Sequence, residues 1–167
     1  MNKQMSYSEL KDHILEFLRE HKSAALATSM DEIPRCSPVQ YFLGKDMDIY
    51  ILSAGGDKFK NIEENSNVCL LVNTEYINYR KIKGVQIFGK ATICKQDIKV
   101  LEEAEKYCPD RYLVEEETEF LRAIKIVPEE IVYLNSLKNG DRTKQILNIQ
   151  NNEVNTIYEM AITTLSL

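Results

Sequence analysis

The chain has 167 residues, room for one domain, and a chain of that size buries roughly 68–70% of its unfolded surface without help from metals or disulfides. Lys and Arg number 21 against 26 Asp and Glu, and the balance of −5 excludes a broad nucleic-acid footprint while leaving room for a local basic patch. Four cysteines without CxxC or Cys/His spacing exclude a zinc cluster and a disulfide scaffold, and no run approaches the roughly 18 apolar residues of a spanning helix.

The first periodic segment predicts a helix over 8–21. Leu10, Ile14, Phe17, Leu18 and His21 recur every three or four residues, and Ser6 with Glu9 has the spacing of a capping box. From Ser23 the period becomes that of strands. SAALATSM, RCSPVQYFL and MDIYILS follow one another, joined by turns too short for a crossover helix. Pro38 cannot donate to a ladder, so it marks an edge, a bulge or an opening in the sheet. AGGDKFKNIEENS then breaks the strands, with Asp57 read as the cap of a short helix ending near Glu64.

VCLLVNT predicts a fourth strand and IKGVQIFGKATIC a long fifth, across the polar stretch TEYINYR. In the fifth, Gly89 and Ala91 sit on the face of Val85, Ile87 and Ile93. Their small size predicts a bend or the close approach of another backbone. A helix is expected over 97–107, stopped by Pro109, and two more strands over 119–127 and 130–135, parted at Pro128-Glu129. Residues 1–138 form the predicted domain. Residues 139–167 read as a C-terminal extension, helix, strand or arm, packed on the domain or on a partner subunit. The architecture is mainly β: a closed or nearly closed barrel of six or seven short antiparallel strands with peripheral helices.

Chemistry concentrates in SAGGDKFKN, where a strand enters a double-glycine turn and a short helix carrying Lys58 and Lys60. Outward amides and an ammonium at such a junction suit an anion, and Lys58 is placed to bind a phosphate. The plainer alternative is a solvated basic loop. The segment is neither a GxxxxGK[ST] nor a GxGxxG motif. His13 and His21 do not read as catalytic bases, Cys69 reads as core, and the acidic residues of 97–107 read as a wet helix face.

In their order and spacing, ALATSMDEIPRCSPVQYF, MDIYILSAGGDKFKNIEENSNVCLLVN, IKGVQIFGKATI and FLRAIKIVPEEIVYLN resemble the FMN-binding split-barrel proteins related to pyridoxamine 5′-phosphate oxidase. The resemblance spans about residues 8–136. It implies a split β-barrel homodimer with FMN at the subunit interface, acting on a small-molecule substrate or electron donor; the free cysteines and an N-terminus with no apolar signal core read as cytoplasmic, and charge and hydropathy read as no nucleic-acid or membrane partner. It places the flavin ring against Pro38, Val39, Gln40 and Tyr41, with contacts from Ile51, Leu52 and Ser53. Lys58 takes the phosphate, Arg35 or Lys60 adds positive charge, and Gln86 approaches the flavin from the long strand. It implies no side-chain acid or base and no metal. The activity implied is FMN-dependent hydride or electron transfer. Alternatives are a non-catalytic flavin carrier or sensor, or a deazaflavin- or haem-binding relative. This chain departs from the vitamin B6 oxidases in having Asp57 where they carry an arginine before the lysine, and in lacking histidine in its tail.

Overall fold

The structure is a computed structural model that describes residues 3–116 and 119–158. The capping box forms: Ser6 Oγ accepts the Glu9 amide at 3.3 Å, and the Glu9 carboxylate accepts the Ser6 amide at 2.8 Å. Helix α1, Tyr7–Glu20, therefore starts at Tyr7 and buries Leu10, Ile14, Phe17 and Leu18 against the core.

Strands β1, Ser23–Met30, and β2, Ile33–Gln40, form a hairpin whose turn residues Asp31 and Glu32 both have positive φ. The expected strand RCSPVQYFL is divided at Tyr41. Its ring is buried, its hydroxyl donates to the Leu18 carbonyl at 2.8 Å, and its amide donates to the Lys22 carbonyl. Beyond it lie β3, Phe42–Leu43, a 3-10 turn at Lys45–Met47, and β4, Ile49–Ser53. Helix α2, Asp57–Glu64, has Gly56 at its N-cap with no side-chain cap bond, so Asp57 is the first helical residue rather than the predicted cap. Its carboxylate is engaged instead by the cations described below.

Next come β5, Asn67–Asn73, and β6, Lys83–Ile93. On β6, Val85, Ile87, Gly89, Ala91 and Ile93 turn inward while Gln86, Phe88 and Lys90 face out, as the alternation requires. Helices α3, Lys99–Tyr107, and α4, Arg111–Glu116, follow; α4 is an element that the sequence pattern does not predict.

The two strands predicted over 119–135 are one, β7, Arg122–Asn135. Gly89 faces Pro128 while Phe88 faces Glu130, so Glu129 is an extra residue, a β-bulge. Its carbonyl accepts the Ile149 amide at 3.0 Å. Before the bulge β7 pairs with β4; after it, with β8, Lys144–Asn148, which pairs in turn with β9, Glu153–Ile157. Nine antiparallel strands are thus present among the described residues, against six or seven expected, in the order β2-β1-β5-β6-β7-β4-β3 with β8 and β9 beside β7. The path begins on β2 and ends on β3 without closing. The fold is a split β-barrel with peripheral helices. Residues 159–167 of the extension lie outside the described residues. No described helix is long and apolar enough to cross a membrane.

A half-buried network around the buried Tyr50 ring fastens α3 to the barrel. The Tyr50 ring stacks between Phe42 and Tyr107, at centroid distances of 6.0 and 5.7 Å. Its hydroxyl donates to Glu103 Oε2 at 2.5 Å. Lys125 Nζ donates to the same oxygen at 2.8 Å and pairs with Asp48 at 3.0 Å. Burial and the Glu103 bond push the Tyr50 hydroxyl up to about 12, so it stays a donor. Burial works against the Lys125 ammonium, but the bonds to Glu103, Asp48 and Tyr50 outweigh it and hold the group charged. Lys125, and then Tyr50, hold the Glu103 carboxyl below its ordinary 4.5.

Because the folded value lies below the unfolded one, Glu103 contributes stability above about pH 4.5 that disappears as acid protonates it. Glu103→Gln should therefore flatten the acid limb of stability against pH in urea titrations. An unchanged acid limb would remove Glu103 from this role. Lys125→Met removes the cation shared by Asp48 and Glu103 and should cost about 1 kcal/mol in urea titrations, since both carboxylates keep access to solvent.

Candidate functional site

The split leaves two strand edges facing one hollow. β2 pairs with β1 alone. β3 reaches only Ile49 and Tyr50 of β4, so from Ile51 onward β4 has strand pairing only on its β7 side. Main-chain donors and acceptors on those edges are available to a ligand. Pro38 occupies such an edge, where its missing amide hydrogen costs no ladder bond.

The cleft between the edges has a volume of about 530 Å³, within the usual range for cofactor sites. Pro38, Val39 and Gln40 line one side, and Leu52, Ser53 and Ala54 the other. Leu113 and Tyr112 of α4, with Phe120, complete it, and the two aromatic rings are 71% and 69% exposed. An adjoining hollow of about 520 Å³ shares Gln40, Leu52, Asp110 and Leu113 and extends to His21 and Lys22. His21, read from sequence as a helix-end residue, thus stands in a wall of this space, its Nδ1 2.8 Å from the Phe17 carbonyl.

The Ser53 side of the cleft continues into the glycine turn. Gly55 and Gly56 have φ of 129° and 105°, a region open to glycine. Ser53 Oγ accepts the Gly55 amide at 3.4 Å. Lys58 Nζ donates to the Gly55 carbonyl at 2.7 Å and lies over the Phe59 ring. Burial lowers its pKa from the ordinary 10.5. Arg35 Nη1 approaches Asp57 Oδ2 at 3.4 Å, and Lys60 Nζ approaches Asp57 Oδ1 at 3.9 Å. Arg122, which no sequence motif singles out, pairs in register with Ser53 at the start of β7. Its guanidinium lies against Gly55, where an added Cβ would come 3.6 Å from Nη1.

Pro38, Val39, Gln40, Leu52 and Ser53 are therefore brought together around one cleft, with Lys58, Arg35 and Lys60 at the turn that leaves it. Ile51 and Tyr41 are buried side chains beside the site, and of Ile51 the open strand edge is what faces outward. Gln86 is not brought to the cleft within one chain. It lines a separate hollow of about 260 Å³ with Leu71, Tyr76, Gly84, Val132 and Leu134. Cys36 is exposed on β2; Cys69, read as core, is partly buried, and its thiol is pushed up by burial.

The family model for pyridoxamine 5′-phosphate oxidase matches residues 10–135. A comparison with curated proteins finds no match. Among solved structures, a Listeria innocua protein described as a pyridoxamine 5′-phosphate oxidase is 25% identical with a TM-score of 0.60, covering 76% of this chain and 99% of that one. A FAD-binding protein of Mesorhizobium loti is 18% identical with a TM-score of 0.57, covering 77% and 94%. A Clostridium acetobutylicum protein related to general stress protein 26 is 13% identical with a TM-score of 0.62, covering 89% and 100%. The last two show the shared fold alone.

Proposed function

The chain belongs to the pyridoxamine 5′-phosphate oxidase family, and from that premise we propose that it binds FMN between β2 and β4 as a flavin-dependent oxidoreductase acting on a small molecule. The observation that carries this reading is the joining of an apolar, two-edged cleft to a double-glycine turn ringed by cations. A flavin mononucleotide has a flat heterocycle with a polar rim and a tail of nearly two negative charges, and the site divides its chemistry the same way.

The residues present fit that group. The atoms nearest to Cβ atoms added at Gly55 and Gly56 belong to Arg122 and Lys58, at 3.6 Å or more, so the glycines leave a cradle bordered by cations. Lys58 keeps two further N–H donors for phosphate oxygens. Ser53, Val39 and Gln40 offer main-chain and side-chain partners for the ribityl chain and ring rim. Leu52, Leu113 and Phe120 exclude water from the flat faces. The flavin, when bound, supplies hydride or electron transfer, and the protein supplies placement and field. Asp110 is the one carboxylate lining the cleft among the described residues, and its Oδ1 accepts the Leu113 amide at 3.1 Å.

A homodimer belongs to the same proposal. Leu71, Tyr76, Phe88 and Val127 expose apolar surface on and beside the outer face that carries Gln86, and a second copy seated there is the means by which Gln86 reaches a flavin. Asp57, beside Lys58, stands next to the proposed phosphate position, and Arg35 and Lys60 answer its charge.

The test is purification without added cofactor, followed by absorption spectroscopy and mass analysis of whatever the protein retains. FMN supports the reading. A deazaflavin or a Soret band would replace it with another cofactor on the same barrel, and failure to take up added FMN would end it. Bleaching of bound FMN by NADH or NADPH and recovery with an acceptor separate an oxidoreductase from a carrier or sensor, which would bind without turnover. Sedimentation giving only monomer would remove the interface from the proposal.

A further inference from the structure

Lys58 alone balances only part of a phosphate monoester's charge, and the neighbouring cations are not all free to help. Arg35 and Lys60 converge on Asp57 from two sides, so much of their charge is already answered. Lys58 and Arg122 differ from them. Among the described residues neither has an ion-pair partner, yet both are held against the same glycine, the ammonium on the Gly55 carbonyl and the guanidinium beside its α-carbon. An anion seated beside Gly55 would meet both of these charges.

Register explains how Arg122 comes to be there. It is the cross-strand partner of Ser53, and directly opposed residues of an antiparallel pair share one face of the sheet. Ala123 and Ile124 are buried and fasten the strand, so the Arg122 side chain is carried outward beside the turn at the end of the ladder.

We propose that Arg122 is a phosphate-binding residue of the cofactor site, bordering the cradle at Gly55 together with Lys58. This rests on the flavin reading given above and assigns a residue to it. A guanidinium presents two parallel N–H donors to two phosphate oxygens, where an ammonium presents a point charge, so Arg122 fixes the orientation of the phosphate as well as adding charge. The ligand feature recognised is the terminal phosphomonoester, not the ring.

The experiment compares FMN and riboflavin binding, by quenching of flavin fluorescence, in the wild type, Arg122→Gln and Arg122→Lys. Arg122 is exposed at the first position of its strand, so unchanged melting temperatures should confirm that the variants fold. Arg122→Gln should weaken FMN binding about tenfold, the scale of one charge-assisted bond at a partly solvated site, with riboflavin unchanged. Arg122→Lys should recover part of the loss. Wild-type affinity for FMN in Arg122→Gln, or equal losses for FMN and riboflavin, would overturn the proposal while leaving the flavin reading standing. A wild-type protein that binds neither flavin would overturn both.

Discussion

Gly89→Ala is expected to be among the most damaging single methyl additions in this protein, lowering the free energy of unfolding by about 3 kcal/mol, at the upper end of overpacking costs. A Cβ at that position would stand 2.3 Å from the Val127 carbonyl oxygen and 3.0 Å from the Pro128 α-carbon. Both are main-chain atoms of the paired strand, so no rotamer change relieves the contact. The only escape is to move the strand. Urea unfolding with an unchanged m-value would measure the loss. A change below about 0.5 kcal/mol, within the range of ordinary surface substitutions, would show that β6 and β7 slide past one another at this point.

That contact matters to the site because the bulge decides where β7 changes partner. Residues 122–126 hold β4 and residues 130–134 hold β8, with Pro128 and Glu129 between them. Moving the bulge would shift the register that sets Arg122 opposite Ser53 and would spread the cleft. A Gly89 variant that still folds should therefore bind flavin more weakly although Gly89 lies outside the cleft lining.

The same region shows what the sequence carried and what it withheld. Gly89 and Ala91 on an otherwise large apolar face signalled a close approach, since two-residue periodicity is local and the gap in volume is visible in it. That β7 would run through Pro128 was not legible. Proline is tolerated in a ladder only where the partner strand leaves room, and that partner is β6. Two strands were therefore expected where one exists. Gln145 concealed β8 in a similar way. It is buried because its side-chain oxygen accepts the Met5 amide at 2.8 Å, and a buried glutamine breaks the apolar alternation by which a strand is recognised.

Of the residues gathered around the candidate cleft, those of the edge strands and Lys58 are legible from motif order, because the strand, turn and helix around Lys58 are contiguous in the chain. Arg122 and the α4 residues are not. Arg122 reaches the turn through a cross-strand register, and α4 is six residues long, too short to show a helical period. Tyr41 was named with the flavin strand, yet its ring turns inward under α1, where the Leu18 carbonyl satisfies its hydroxyl. The break in strand pairing at Tyr41 keeps β3 separate from β2, and the neighbouring open edges are what the cleft uses.

Lys58 offers the sharper test of the chemistry. Lys58→Met keeps an apolar stem beside the Phe59 ring while removing the ammonium. FMN affinity should fall by roughly 10- to 150-fold, the range of a charge-assisted hydrogen bond worth about 1.5–3 kcal/mol, while riboflavin affinity stays near the wild-type value. The lost bond to the Gly55 carbonyl supplies the control. If the lysine served only to shape the turn, both flavins would suffer together. The pH dependence separates the roles further. Burial lowers the Lys58 pKa, so the free protein loses this cation on the alkaline side at a lower pH than an exposed lysine would. Wild-type FMN affinity should therefore decline more steeply than riboflavin affinity as pH rises, and that difference should vanish in Lys58→Met. Parallel pH profiles in the two proteins would show that the phosphate is held elsewhere.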